Sequence, residues 1–210
     1  MRLVQWWRRW KIKNRCMCAP YYIDKSVHIG KNVVIKGFKN KYPTNLHIGE
    51  NTILHDNVEI RIDNYCYIGK GCTIHNNVHM VGGDYLSIND HTWIGERTFL
   101  DATGKLSIGA NCTIGLACQI WTHVVRPRST YVDTKHNPSP SVDKISGTTI
   151  GRGAWLMGGN IQVSPGVAIW PYSFILSNSV VTKDTEPEKA YAGVPAKEVS
   201  LGSKWKILSR

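Results

Sequence analysis

The sequence predicts an all-β solenoid, a parallel β-helix built from hexapeptide repeats. Aliphatic residues, mostly isoleucine, recur every six residues, and glycine or a polar turn residue often follows them. A small residue commonly occupies the fifth place of a unit, as Cys112 and Cys118 do. A six-residue period fits neither a helix nor a simple alternating strand. It fits coils of three short strands, with the branched residue inside and a turn at each corner.

The first element, residues 1–22, is a basic segment rich in tryptophan. Leu3, Trp6, Trp7 and Trp10 have helical spacing, and Arg and Lys largely fill the places between them. This pattern predicts a short amphipathic helix over residues 1–15. Two interpretations stay open: the helix lies on an anionic membrane surface, or it caps one end of the solenoid. Neither a secretory signal nor an apolar run of membrane-spanning length is visible.

The repeats begin near residue 27 and form the main domain, residues 23–199. Clean units start at Ile29, Ile48, Ile68, Ile94 and Ile108, with interruptions at residues 36–42 and 80–85. Three units per coil predict roughly seven coils. A third unit starts at residue 120 and stops at residue 123, and a loop rich in proline and polar residues follows over residues 124–144.

The repeat resumes at Ile150 and continues to residue 180. Residues 162–168 hold one residue more than the period allows, which predicts a bulge near residues 164–166. A basic tail, residues 200–210, ends the chain.

Composition limits the choice of partners and compartment. The chain has 210 residues and a formal charge of +11, which favours an acidic partner such as a phosphorylated cofactor, an acidic glycan or anionic lipid. Its basic residues are spread along the chain and no nucleic-acid-reading motif is present, so we expect no nucleic-acid partner. Cys66, Cys72, Cys112 and Cys118 are interpreted as reduced core residues, and we expect a cytoplasmic protein.

Four short motifs after the loop, taken together with the repeats, resemble those of a known family. They are Ala-Trp-Leu at 154–156, Pro-Gly-Val at 165–167, Ser-Val-Val-Thr-Lys-Asp at 179–184 and Ala-Gly-Val-Pro-Ala-Lys at 192–197. With the repeats, they resemble the left-handed β-helix acyltransferases of the galactoside/maltose acetyltransferase-like group. Among these, the O-acetyltransferases of capsule, exopolysaccharide and O-antigen sugars are the most similar. The resemblance implies a left-handed coil, transfer from acetyl-CoA to a sugar hydroxyl, and sites between the subunits of a homotrimer.

His123 is the candidate general base, because a sugar hydroxyl needs one near neutral pH and a neutral imidazole suits that task. Many family members carry a histidine two residues further on, where this chain has Val125. A structural role for His123, or catalysis by His136 in the loop, therefore stays open. Asp101, about one coil back, is expected to orient the imidazole or hold a sugar hydroxyl, or simply to bind backbone amides as a corner residue.

The resemblance also assigns cofactor and acceptor residues. Positions expected near CoA are Trp155, Gly158, Gly159, Ser177, Thr182, Lys183 and Lys197. Lys197 stands where an arginine is common; it keeps the charge for a phosphate but cannot stack as guanidinium does. Candidate acceptor contacts are Trp121, Arg126 and Arg128. The two loop arginines would contact an acidic sugar or a CoA phosphate, although solvated loop charges are the simpler explanation for them.

Two other functions compete with acetyl transfer. A γ-class carbonic anhydrase shares the fold and needs three converging histidines; His75 and His79 occupy places of one unit that should point apart, so we expect no metal. A non-catalytic binding module with the same fold is the second alternative. The residues leave open the sugar, the hydroxyl, and the choice between O- and N-acetylation. The basic N-terminus suggests peripheral contact with the inner face of the cytoplasmic membrane.

Overall fold

The computed structural model describes residues 21–37, 43–125 and 142–202, and this part of the chain is entirely β-structure and turns. The predicted N-terminal helix lies outside the described residues, as do most of the loop and residues 203–210. Within the described ranges, no helix has the length and apolar character needed to cross a membrane.

Twenty-five short strands follow one another in the described residues. The strands before the loop are β1 (Tyr21–Ile23), β2 (His28–Ile29), β3 (Val34–Lys36), β4 (Asn45–Ile48), β5 (Ile53–Leu54), β6 (Glu59–Ile62), β7 (Tyr65–Ile68), β8 (Thr73–Ile74), β9 (His79–Gly82), β10 (Tyr85–Ile88), β11 (Trp93–Ile94), β12 (Phe99–Asp101), β13 (Lys105–Ile108), β14 (Thr113–Leu116), β15 (Gln119–Ile120) and β16 (His123–Val125). Those after it are β17 (Val142–Ile145), β18 (Thr148–Ile150), β19 (Trp155–Gly159), β20 (Gln162–Val163), β21 (Ala168–Ile169), β22 (Phe174–Ile175), β23 (Val180–Val181), β24 (Ala190–Gly193) and β25 (Ala196–Val199).

Three sheets form the sides of the solenoid. Sheet A has the order β1-β4-β7-β10-β13-β18-β21, sheet B β2-β5-β8-β11-β14-β19-β22-β24-β25, and sheet C β3-β6-β9-β12-β15-β20-β23. All pairs are parallel except β24 with β25, and β16 with β17, which form a separate antiparallel ribbon. This topology confirms the predicted all-β solenoid, and the seven strands of sheet A match the predicted number of coils.

The core is a stack of aliphatic side chains from all three sheets. Ile48, Ile68, Ile88 and Ile108 pair in register in sheet A, and each is fully buried. Each such side chain contributes about 1.5–3 kcal/mol by leaving water. The inner stack is therefore what holds the coils in register, and it leaves the outward positions free to carry function.

The coils before the loop are longer than three units. Tyr65 pairs with Tyr85, and Tyr85 with Lys105, so these coils take 20 residues rather than 18, and the first coil, in which Tyr21 pairs with Leu46, takes 25. The two additional residues lie at the corner between sheets C and A, at 63–64, 83–84 and 103–104. For this reason Cys66 lies within β7 between Leu46 and Leu86, rather than at a corner.

The predicted bulge near residues 164–166 is wrong. The register shifts instead between β14 and β19, where Ile114 pairs with Leu156 but Leu116 pairs with Gly159. The additional residue is therefore accommodated at positions 157–158. Gly158 has φ of 86°, a conformation that glycine adopts without steric cost.

The described solenoid starts with strand β1. The first strand includes Tyr21 and Tyr22, so the solenoid extends beyond the boundary placed at residue 23.

All four repeat cysteines are free and buried, as predicted. Burial raises the pKa of the Cys66 thiol to about 12, which makes it an unreactive core residue.

Aromatic rings stack along the outside of the N-terminal coils. His47 lies between Tyr22 and Tyr67, with ring centroids 4.8 Å from each. His75 stacks on His55 at 4.6 Å. Desolvation lowers the pKa of both His47 and His75, and the neighbouring His55 lowers that of His75 further.

These two histidines predict a loss of stability on mild acidification. Because their pKa values fall on folding, the unfolded chain binds protons first as pH drops below about 6.5. We expect the melting temperature to fall by a few degrees between pH 7.5 and 5.5. A His47→Gln/His75→Gln variant should show a smaller fall, while the control His28→Gln, at an exposed site, should behave as wild type. An unchanged fall in the double variant would contradict this assignment.

Candidate active site

The last residue of β12 and the first residue of β16 meet at one corner of the solenoid. The Nδ1 atom of His123 lies 2.6 Å from Oδ2 of Asp101. The imidazole is 22% exposed, whereas the carboxylate is only 2% exposed. A buried carboxylate therefore holds an imidazole whose other side reaches the surface.

Asp101 is anchored by more than the histidine. Its Oδ2 accepts hydrogen bonds from the Thr122 backbone N–H at 2.7 Å and the Thr122 hydroxyl at 2.8 Å. Its Oδ1 accepts one from the Thr103 N–H at 3.0 Å. Of the roles that the sequence left open for Asp101, the geometry shows contacts for two, with backbone amides and with the imidazole.

The hydrogen bonds keep Asp101 ionised. Burial alone would raise the pKa of this carboxyl group, but bonds from Thr103, Thr122 and His123 outweigh it and lower the pKa below its ordinary value. Since the ionised group only accepts, Nδ1 of His123 carries the hydrogen and donates it. The lone pair of the neutral imidazole is then on Nε2, which can accept a proton.

The local chain path explains why His123 is partly exposed. Strands β16 and β17 pair as an antiparallel ribbon in which His123 opposes Ile145, so the chain leaves the solenoid at the histidine and returns opposite it. The Ser146 N–H donates to the Thr122 carbonyl at 2.9 Å, and the Thr148 hydroxyl donates to the Trp121 carbonyl at 2.6 Å. These bonds fix the base of the ribbon to the rigid coil.

Several predicted residues lie outside the described part of the chain. Arg126, Arg128 and His136 belong to the segment 126–141, so their predicted roles stay predictions.

The residues predicted to line the CoA groove lie in two regions, one around Gly158 and one towards the C-terminus. Gly158 and Ser177 are adjacent: a Cβ on Gly158 would lie 1.8 Å from the Ser177 hydroxyl oxygen. That hydroxyl donates to the Met157 carbonyl at 3.0 Å. Any side chain at position 158 would therefore collide with Ser177, and glycine leaves the backbone at this turn open. Gly159 follows and pairs with Leu116.

The other predicted groove residues lie towards the C-terminus. Trp155 stacks on Phe174 with ring centroids 5.3 Å apart. Thr182 and Lys183 are exposed just after β23, and Lys197 is exposed on β25, paired with Ala192. The two lysines are thus available to an anionic group, although Lys183 follows β23 and Lys197 lies on β25.

Two groups of residues that contact the predicted site residues were missed from the sequence. Thr122 and Thr103 position Asp101, and nothing in their spacing distinguishes them from other corner threonines. Phe99, two residues before Asp101, packs its ring against Trp121 with centroids 5.1 Å apart. Period-two alternation along the strand could have placed it on the same face as Asp101.

The histidines considered for a metal have other partners. His75 stacks on His55, and His79 Nδ1 lies 3.0 Å from Oε2 of Glu59. Among the described residues, no group of three His, Cys, Asp or Glu side chains is arranged to hold a metal ion.

No family model matches the chain. Among solved structures, PerB from Caulobacter crescentus, in complex with CoA and GDP-perosamine, is 20% identical over 85% of this chain and 56% of its own, with a TM-score of 0.41. An acetyl-CoA complex of the hexapeptide-repeat acetyltransferase VCA0836 from Vibrio cholerae is 22% identical over 73% of this chain and 69% of its own (TM-score 0.44). A maltose O-acetyltransferase from Clostridium difficile is 17% identical over 85% of this chain and 67% of its own (TM-score 0.37).

The chain is similar to hexapeptide-repeat sugar acetyltransferases. It spans little more than half of the length of PerB. At these identities the likeness concerns the fold alone, so the chemistry has to be argued from the residues of the chain itself.

Proposed function

We propose that this protein is an acetyl-CoA-dependent O-acetyltransferase that modifies a sugar hydroxyl of a surface polysaccharide or its precursor. The observation that carries the proposal is the 2.6 Å contact between His123 and the buried Asp101. With Nδ1 bound to this carboxylate, the imidazole has Nε2 left to act as a base, at the point where the chain leaves the coil. This is the arrangement that general-base catalysis on a hydroxyl requires.

The reaction proceeds by direct transfer in a ternary complex. His123 Nε2 accepts the proton of the acceptor hydroxyl as its oxygen attacks the thioester carbonyl of acetyl-CoA. The resulting imidazolium is stabilised by the Asp101 carboxylate. When the tetrahedral intermediate collapses, the carbon–sulfur bond breaks and the CoA thiolate takes the proton from Nε2. The products are the acetylated sugar and free CoA, and the imidazole is neutral again.

The donor is assigned to the turn between sheets B and C and to the C-terminal strands. Gly158 and Gly159 offer accessible backbone along which the pantetheine arm can lie, and Ser177 borders the same turn. Lys183 and Lys197 supply positive charge for CoA phosphates, which fits the overall charge of +11. Trp155 and Thr182 complete the proposed donor contacts.

The test measures thiol release from acetyl-CoA against sugars, amino sugars and lipid-linked glycans, together with calorimetric binding of CoA. Thiol release with a sugar hydroxyl as acceptor supports the proposal. Turnover only with amino sugars would assign N-acetylation instead. CoA binding without thiol release for any acceptor would favour the non-catalytic binding module.

We also propose that the protein is a homotrimer that acts at the cytoplasmic face of the membrane, held there by residues 1–15. A variant starting at residue 20 keeps strand β1 intact, which begins at Tyr21. We expect this variant to retain transferase activity and trimer mass by light scattering but to lose sedimentation with anionic vesicles. Equal sedimentation of the truncated and full chains would show that the segment does not anchor the protein.

A further inference from the structure

Two aromatic rings lie outside the core at the end of sheet C that carries the His123–Asp101 pair: Phe99 on β12, and Trp121 directly after β15. Phe99 precedes Asp101 by two residues on β12, and Trp121 precedes His123 by two residues. Their ring centroids are 5.1 Å apart and their planes are inclined by 40°. Leu100, which follows Phe99, and Ile120, which precedes Trp121, are fully buried and point into the core. The rings therefore form a surface on the outside of the solenoid.

The hydrophobic core does not account for this pair. Core packing is provided by an inner cluster of small and aliphatic residues to which neither Phe99 nor Trp121 belongs. In the described part of sheet C, outward positions in register with Phe99 are otherwise aliphatic or polar: Val34, Glu59, His79, Gln119, Gln162 and Val180. Among these register positions the phenyl ring of Phe99 is the one large apolar ring, and the indole of Trp121 lies directly after β15, on the coil that supplies His123.

The chemistry of the pair selects a ligand with one apolar face and several hydroxyls. Aromatic rings offer flat apolar area at low cost in side-chain entropy, and such rings beside a few polar groups are typical of small-molecule sites. A pyranose has both features, since its C–H groups cluster on its faces and its hydroxyls point outward. A sugar lying on Phe99 and Trp121 would have its edge directed towards the imidazole.

We propose that Phe99 and Trp121 form the stacking platform for the acceptor sugar, and that Phe99 is a specificity-determining residue for it. This inference rests on the proposed function and deepens it, because it names the surface that presents the sugar to His123. The platform fixes the pyranose so that one hydroxyl, and not its neighbours, comes within hydrogen-bonding reach of Nε2.

Three variants test the platform. Phe99→Ala removes one ring, Phe99→Tyr restores it, and Tyr85→Ala is the matched control, because Tyr85 stacks on Tyr65 at 4.6 Å on the outside of sheet A. We expect Phe99→Ala to raise the acceptor KM about tenfold and to leave kcat within about threefold and acetyl-CoA affinity unchanged. Phe99→Tyr and Tyr85→Ala should both behave as wild type.

A second measurement separates this inference from the transfer reaction. Saturation-transfer NMR, without acetyl-CoA, reports binding of methyl glycosides of neutral, amino and acidic hexoses. If the wild type binds a glycoside but transfers no acetyl group, and only Phe99→Ala loses binding, the platform stands and the transferase proposal fails.

Three outcomes would overturn the platform. The first is an acceptor KM of Phe99→Ala equal to that of the wild type while transfer proceeds. The second is the absence of glycoside binding and of transfer in the wild type. The third is a change of particle mass in Phe99→Ala, measured by light scattering, with acetyl-CoA and acceptor binding reduced alike, which would assign the rings to a contact between subunits.

Discussion

His123→Ala should lower kcat for acetyl transfer at least about a hundredfold, the usual cost of removing a general base. The imidazole is the group that accepts the proton of the sugar hydroxyl, and Nε2 is free to do so because Nδ1 is bound to Asp101. Acetyl-CoA affinity should stay near that of the wild type, since the donor is assigned to the turn that contains Gly158 and to the C-terminal strands. Thiol release and calorimetric CoA binding measure the two quantities separately.

His79→Ala is the matched control for this variant. His79 is also an imidazole on sheet C whose Nδ1 contacts a carboxylate, that of Glu59, at 3.0 Å. Its loss should change kcat less than about twofold. If His123→Ala retains wild-type activity, the base lies elsewhere, and His136→Ala becomes the next variant to measure.

Asp101→Asn should lower kcat by about 10- to 100-fold while the acceptor KM changes little. Four hydrogens point at the carboxylate, from Thr103 N–H, the N–H and hydroxyl of Thr122, and Nδ1–H of His123. An asparagine amide accepts through one oxygen only, so its NH₂ group would face a donor. The imidazole would lose the anion that fixes its tautomer and stabilises its protonated form.

This change also carries a stability cost, about 1–3 kcal/mol for a buried donor left unsatisfied. Asp90→Asn is the matched control, because Asp90 accepts the Lys70 backbone N–H at 3.0 Å at another corner of the solenoid. Activity at temperatures well below both melting points separates the two effects. A kcat for Asp101→Asn equal to that of Asp90→Asn would limit Asp101 to a structural role.

The position of the loop also follows from physical constraints on the coil. In the coils before it, the corner between sheets C and A holds two additional residues, and the loop leaves the solenoid at this corner. Thr122 closes the corner by accepting the Gly104 N–H on its hydroxyl at 2.9 Å and the Ser146 N–H on its carbonyl at 2.9 Å. A wide corner already fixed by side chains lets the chain leave and re-enter the solenoid without disturbing the inner stack.

The sequence by itself determined the solenoid, the number of its coils and the place where chemistry is expected. A six-residue period with an aliphatic residue inside each unit packs as a solenoid. The end of the regular repeat after His123 can also be read directly from the sequence. Because this local pattern recurs many times, each unit supports the position assigned to the other units within the repeat.

The sequence offered the contact between Asp101 and His123 as one alternative among several, and only the tertiary structure decided among them. Asp101 and His123 are 22 residues apart, a distance that depends on the 20-residue length of the intervening coil and not on the nominal 18. The bulge was predicted at the wrong place for a similar reason. One additional residue can be accommodated wherever the backbone tolerates it, and here it is accommodated at Gly158, which has a positive φ, rather than at residues 164–166. Phe99 likewise became relevant only when stacking placed its ring on that of Trp121, because the count of residues per coil sets which side chains become neighbours.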